Sequence, residues 1–181
     1  MILSLFRKDP RRAAIATLYE RVATASRAPG LYLSLGVADT MEGRFEALAL
    51  HVILVLRALR GWPEPAGEVA HDLADALFRD LDAALREMGV GDTAVPKRIR
   101  PLAEAFYGRA QAYDGPLDRG DEAALATCLG RNVLGRDRPA GALARYAIAA
   151  DRRLAGQDLD SLLRQGPNFP NPDIFATGNP P

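Results

Sequence analysis

Two histidines and a single cysteine are the only strong metal ligands or nucleophiles of their kind in this chain. His51 and His71 do not stand at ligand spacing, and Cys128 alone cannot complete a metal site without carboxylate help. No phosphate-cradling glycine loop, dinucleotide fingerprint, nucleophile elbow or zinc spacing is present. The many carboxylates read as helix caps and members of ion pairs, so neither an enzyme nor a cofactor is expected. What remains is one stripe. At about 100° per residue, Arg44, Ala47, His51 and Ala58 fall close together on a helix, small residues flanking a titratable one. His51 is then either a core histidine bonded to a neighbouring helix or a contact point for a partner or ligand.

The helix that must position this stripe spans 39–60. Asp39 is the expected cap, with Glu42 bonding back to it. Arg57 and Arg60 mark the last turn, before Gly61 and Pro63. Phe45, Leu48, Val52, Leu56 and Leu59 share one face, and Leu50, Ile53, Leu54 and Val55 fill most of the others. A helix apolar nearly all round is enclosed by protein or by lipid. Lipid is the weaker option, because the uncharged run from Ala47 to Leu56 is far short of the ~20 residues that a bilayer requires.

The chain of 181 residues is rich in Ala, Leu and Arg and low in aromatic residues. This favours helix nearly everywhere. The expected architecture is all-α: a compact bundle of about six to seven helices around 39–60, forming one domain over 1–166. Asp9 and Pro10 open a first helix, and 31–37 makes an extended or short helical connector. A long amphipathic helix follows Gly67, burying Val69, Leu73, Leu77, Leu81, Leu85 and Met88. Its opposite side, with the pairs Asp75–Arg79 and Asp82–Arg86, is expected to face water. Pro101 should kink or restart the next helix, and Asp114-Gly115-Pro116 should make a turn. Asp118 or Asp121, Pro139 and Asp158 start three further helices. Prolines leave 167–181 as an extended or disordered tail, whose Phe169 and Phe175 could anchor it to a surface or a partner.

Balanced charge, 23 basic against 23 acidic residues, argues against a nucleic-acid-coating protein. Regionally the charge is uneven. Arg7, Lys8, Arg11, Arg12, Arg21 and Arg27 make the N-terminal stretch basic, and 64–92 is acidic. Residues 1–6 are apolar but too short for an export signal. Ile2, Leu3, Leu5 and Phe6, followed by Arg7 and Lys8, could touch a membrane surface peripherally. Lys97, Arg98 and Arg100 form a basic knot at a helix start, which opposes the helix dipole. Those charges are better placed for a partner or an acidic neighbour than for local stability.

Several blocks together carry a resemblance. They are Leu33-Ser34-Leu35-Gly36-Val37-Ala38-Asp39-Thr40-Met41-Glu42-Gly43-Arg44-Phe45-Glu46, Leu85-Arg86-Glu87-Met88-Gly89-Val90-Gly91-Asp92, Val95-Pro96-Lys97 and Ala105-Phe106-Tyr107-Gly108-Arg109. Over about residues 31–154 the chain resembles the ubiquinol-cytochrome c chaperone family, with Ala38 where proline is expected. The resemblance implies an assembly factor of the cytochrome bc1 complex that escorts newly made cytochrome b. It also implies work near the ribosome exit region, in a bacterial, cytoplasmic form that can rest on the inner membrane. The implied partner contacts are Glu42, Arg44, His51, Lys97, Arg98, Tyr107 and Arg109. The alternative reading is a helical carrier that binds a lipid, quinone or haem-like ligand beside His51.

Overall fold

The computed structural model describes residues 10–135 and 138–176. Among these the chain is all-α. In order it runs α1 (Pro10–Ala25), α2 (Pro29–Leu33), α3 (Met41–Arg60), α4 (Ala66–Glu87), α5 (Val95–Arg119), α6 (Glu122–Asn132), α7 (Gly141–Ala155) and α8 (Leu159–Gln165). A single 3-10 turn, Pro172–Phe175, follows. The expected contacts of residues 1–6, the basic pair Arg7 and Lys8, and the Asp9 cap lie outside the described residues. No helix among the described residues is long and apolar enough to cross a membrane.

α3 is the axis, touching α1, α4, α5 and α7. Ala49, Val52, Leu54 and Val55 have no exposed surface at all, and Leu48, Leu50, Ile53 and Leu59 are almost as enclosed. Burying one such aliphatic side chain is worth roughly 1.5–3 kcal/mol, so the helix is held by what surrounds it. Its start differs from expectation. Thr40 is the cap, its hydroxyl accepting from the Gly43 N–H at 3.1 Å. Asp39 instead accepts from Arg44 Nε at 2.7 Å, and Glu42 makes no bond back to the cap among the described residues. Gly43 is needed here for space: a Cβ would sit 2.0 Å from the Ala38 carbonyl oxygen, where the 34–40 connector crosses the first turn.

α4 buries Val69, Leu73, Leu77 and Leu85 as its spacing requires, but Met88 is 54% exposed. Its charged side does not simply meet water. Arg11 of α1 donates to Asp72 at 2.7 Å and to Glu68, and the Tyr19 hydroxyl donates to Asp80 at 2.7 Å. Asp82 pairs with Arg86 at 2.6 Å, whereas Asp75 is met by His71 rather than by Arg79.

α5 passes as one helix through both Pro101 and Pro116, so neither a restart at Pro101 nor the turn at 114–116 exists. Each proline strands a carbonyl four residues back. For Pro101 that is the carbonyl of Lys97, in the exposed first turn where water can serve it. For Pro116 it is the carbonyl of Ala112, which lies 3.9 Å from the Cys128 Sγ donor on α6. The stronger cause is tertiary. Arg57 of α3, its side chain only 10% exposed, bonds Asp114 and Asp118 of α5 and Asp151 of α7. Arg60 adds two bonds to Asp114, at 3.0 and 3.1 Å. These carboxylates reach their partners only if 114–118 stays helical. Asp121 then caps α6, accepting from Ala124 at 3.0 Å.

The stretch after Gly166 is extended, but it is docked rather than loose. Pro170, Pro172 and Phe175 are buried, and Phe169 packs on the His51 ring at 4.7 Å. The aromatic anchors therefore meet this chain's own core.

Candidate interaction surface

α3, α4 and α5 meet around an open groove of about 480 Å³. Its wall and floor are apolar, with Ile53, Leu56, Trp62, Phe106 and Tyr107 among the lining residues. Adjacent positions on α5 divide the work. Phe106 points inward with no exposed surface, and Tyr107 stands 57% exposed at the edge. Phe78 of α4 fixes both rings, with centroids 5.7 Å from Phe106 and 6.1 Å from Tyr107. An aromatic edge fixed from behind offers contact area without losing much rotamer freedom on binding. Arg60, Glu64 and His71 supply polar groups to the rim.

Lys97 and Arg98 lie exposed near the start of α5 and form no ion pair among the described residues. Arg100, by contrast, is held by Glu104 at 2.9 Å. Lys97, Arg100, Glu104 and Tyr107 recur at three- and four-residue spacing, so they share one face of α5. With no acidic residue in the first turn and no side-chain cap, the cations add to the positive end of the helix dipole.

Arg109 belongs elsewhere. Its guanidinium forks onto Glu46 of α3, with Nε to Oε2 and Nη2 to Oε1 both at 2.5 Å. The side chains are 20% and 11% exposed, so this pair bolts α5 to α3 rather than facing a partner. Burial pushes the Glu46 carboxyl above the ordinary range, against the pull of Arg109. Glu46 was missed in the sequence reading. The available signal was a carboxylate set directly among the apolar positions of the central helix.

His51 is fully buried. Its Nδ1–H donates to the Ala47 carbonyl at 2.7 Å, which leaves Nε2 to accept from the Tyr146 hydroxyl at 2.6 Å. Burial pulls its pKa down to about 4, so the ring is neutral at pH 7. Both nitrogens are committed, and Phe169 covers the ring, so in this state His51 offers nothing to a surface partner or to a ligand beside it. Arg44 is exposed and paired with Asp39. Together with Arg27, Tyr32 and Leu33 it borders a separate hollow of about 390 Å³ at the start of α3. Glu42 is exposed and makes no ion pair among the described residues.

Of the seven expected contacts, Lys97, Arg98 and Tyr107 are exposed on α5, Lys97 and Tyr107 sharing a face and Arg98 lying about 100° round from Lys97. Glu42 and Arg44 stand at the start of α3, and His51 and Arg109 are engaged inside the fold. Among the described residues no cluster of His, Cys, Asp and Glu is arranged to hold a metal ion.

A family model described as ubiquinol-cytochrome C chaperone matches residues 33–169. The crystal structure of the Cbp3 homolog from Brucella abortus is similar over 96% of this chain and 98% of that one, with 35% identity and a TM-score of 0.81. No curated protein matches.

Proposed function

The chain belongs to the ubiquinol-cytochrome c chaperone family, and from that premise we infer that it escorts newly made cytochrome b during assembly of the cytochrome bc1 complex, without catalysing a reaction. The observation that best supports a holding role is the α3–α4–α5 groove. It is apolar, open to solvent and edged by Tyr107, on a helix that also carries unpaired cations. An escort must release what it holds, and an open groove permits release where a closed cavity would not. Apolar segments are taken into such grooves as helices lying along the apolar face.

The client contacts are Tyr107, Lys97 and Arg98, with Glu42 and Arg44 forming a second, smaller contact at the start of α3. Tyr107 and the groove hold apolar side chains, and Lys97 and Arg98 orient the client through an acidic flank. The protein works in the cytoplasm, near the ribosome exit region and against the cytoplasmic face of the inner membrane, which residues 1–8 touch.

The test is affinity capture of the tagged chain from gently solubilised host membranes, with the retained proteins identified by mass spectrometry. Cytochrome b should be enriched over other membrane proteins, and Lys97→Glu with Arg98→Glu should reduce its recovery at least fivefold. Equal recovery of all membrane proteins, or recovery unaffected by the double reversal, would overturn this placement of the client.

A further inference from the structure

Residues 167–176 lie across α2, α3 and α7 with little structure of their own. Phe169 covers His51, and Phe175, only 3% exposed, meets the Tyr146 ring at 5.8 Å, edge to face. Pro170 and Pro172 are buried beside them. The polar fastenings are few. The Asn168 N–H donates to Gln157 at 2.9 Å, the Ser34 hydroxyl donates to Asp173 at 3.0 Å, and Arg145 reaches the Phe175 carbonyl at 3.5 Å. Beyond its own 3-10 turn at 172–175, no backbone-to-backbone bond joins this stretch to another element among the described residues, and it follows a glycine with positive φ, Gly166. What holds it is side-chain burial, so it opens by lifting two aromatic rings and leaves the helical hydrogen bonds beneath it intact.

The ground beneath it is shaped for a chain. At Gly30 the backbone of α2 is approached so closely that a Cβ would stand 2.3 Å from Asp173 Oδ1 and 3.1 Å from the Asp173 nitrogen. Under the two phenylalanines run the His51 and Tyr146 rings, joined by their own hydrogen bond and needing nothing from the segment above. The result is a trough that accepts extended, proline-containing chain with aromatic residues at the Phe169 and Phe175 positions. It lies on the α2 and α7 side of α3, away from the groove edged by Tyr107.

We propose that residues 167–176 are an exchangeable strap in a peptide-binding trough along α3 and α7, and that an extended client segment with two aromatic residues in the same register takes its place. The strap itself shows which chemistry the trough holds. An empty trough would expose apolar surface to solvent, and the strap prevents this until a client arrives. This inference rests on the escort reading, and it gives the client a second hold on the opposite side of the central helix.

The experiment uses the full-length chain and, as probe, a fluorescein-labelled synthetic peptide copying 167–176, followed by fluorescence anisotropy. Phe169→Ala with Phe175→Ala in the chain removes the two anchors of the resident strap, leaves the trough beneath unaltered and should tighten peptide binding at least tenfold over the unaltered chain. A peptide with both phenylalanines replaced by alanine should not bind. Cysteines at positions 34 and 173 (Ser34→Cys with Asp173→Cys), oxidised and confirmed by mass, fasten the strap and should abolish binding until the bond is reduced. The proposal is overturned if the Phe169→Ala, Phe175→Ala chain binds no peptide, or if the fastened chain binds as well as the unaltered one. Loss of helical circular dichroism in the Phe169→Ala, Phe175→Ala chain would overturn it too, because the strap would then be core. Capture of cytochrome b by the unaltered chain is scored separately, so failure of the strap leaves the escort reading standing.

Discussion

Replacing Arg109 by methionine removes a charge while keeping most of the side chain's length. Glu46 stays behind with its carboxylate 11% exposed and no other cation bonded to it among the described residues. The structure sets a ceiling on the damage, because the carboxyl can take up a proton rather than remain a bare buried ion. Neutralising a glutamic acid of ordinary pKa costs about 3.7 kcal/mol at pH 7 and about 1 kcal/mol at pH 5, at about 1.36 kcal/mol per unit. The folded-state pKa of Glu46 is already raised by burial with Arg109 present, so losing the cation raises it further. A carboxyl whose folded pKa is raised binds more protons folded than unfolded, so stability falls as pH rises through that window. Arg109→Met should therefore lose up to about 3.7 kcal/mol at pH 7 and regain most of it by pH 5. Adding Glu46→Leu should restore most of the loss at pH 7, since an apolar pair of similar volume replaces a buried ion pair at little cost. The assay is urea unfolding followed by circular dichroism at both pH values. A loss below about 1 kcal/mol at pH 7, or the same loss at both pH values, would refute the reasoning.

Three further outcomes are expected. His51 is held neutral with a pKa of about 4 against an unfolded value of about 6.5, so it binds fewer protons folded than unfolded between them. Between pH 6.5 and pH 5 it should cost the folded state about 2 kcal/mol, and His51→Gln should remove that part of the acid sensitivity in urea titrations. Thr40→Ala should lower stability by about 1 kcal/mol through loss of the α3 cap, whereas Asp39→Ala, which removes only an exposed pair, should leave the unfolding midpoint nearly unchanged. Lys97→Glu with Arg98→Glu should leave the unfolding midpoint nearly unchanged while client capture falls, which separates a contact role from a folding role.

The central helix was readable because its apolar residues leave no face for water, a signal that no neighbouring element can reverse. The start of that helix was not. Asp39 and Thr40 are both good caps by type, and the choice fell to the residue whose oxygen reaches Gly43, while Arg44 claimed the other. α5 misled for a similar reason. Local chemistry at Asp114-Gly115-Pro116 spells a turn, and only the fold brings Arg57 and Arg60 within reach of Asp114. Lys97 and Arg98 were legible as exposed because charge at a helix start needs an outside explanation, whereas nothing in the sequence told the exposed Tyr107 from the buried Phe106 beside it. Arg109 looked like one more surface cation, since its partner lies on a helix far away in sequence. The tail was legible as extended, with Phe169 and Phe175 as its anchors, but what it lies against was not, because prolines announce the absence of a long helix and say nothing about the surface beneath.

The unpaired cations at the start of α5 have an orienting effect. The formal net charge of the chain is zero, so a uniformly charged surface exerts almost no overall pull on it. Charge separated across the molecule still gives a dipole moment, and a field acts on a dipole as a torque. A charged partner approaching the start of α5 meets the field of Lys97 and Arg98, which reaches about 8 Å at physiological salt, rather than the zero of the whole molecule. A segment whose own charges are separated is turned in that field before it touches, its acidic end toward α5.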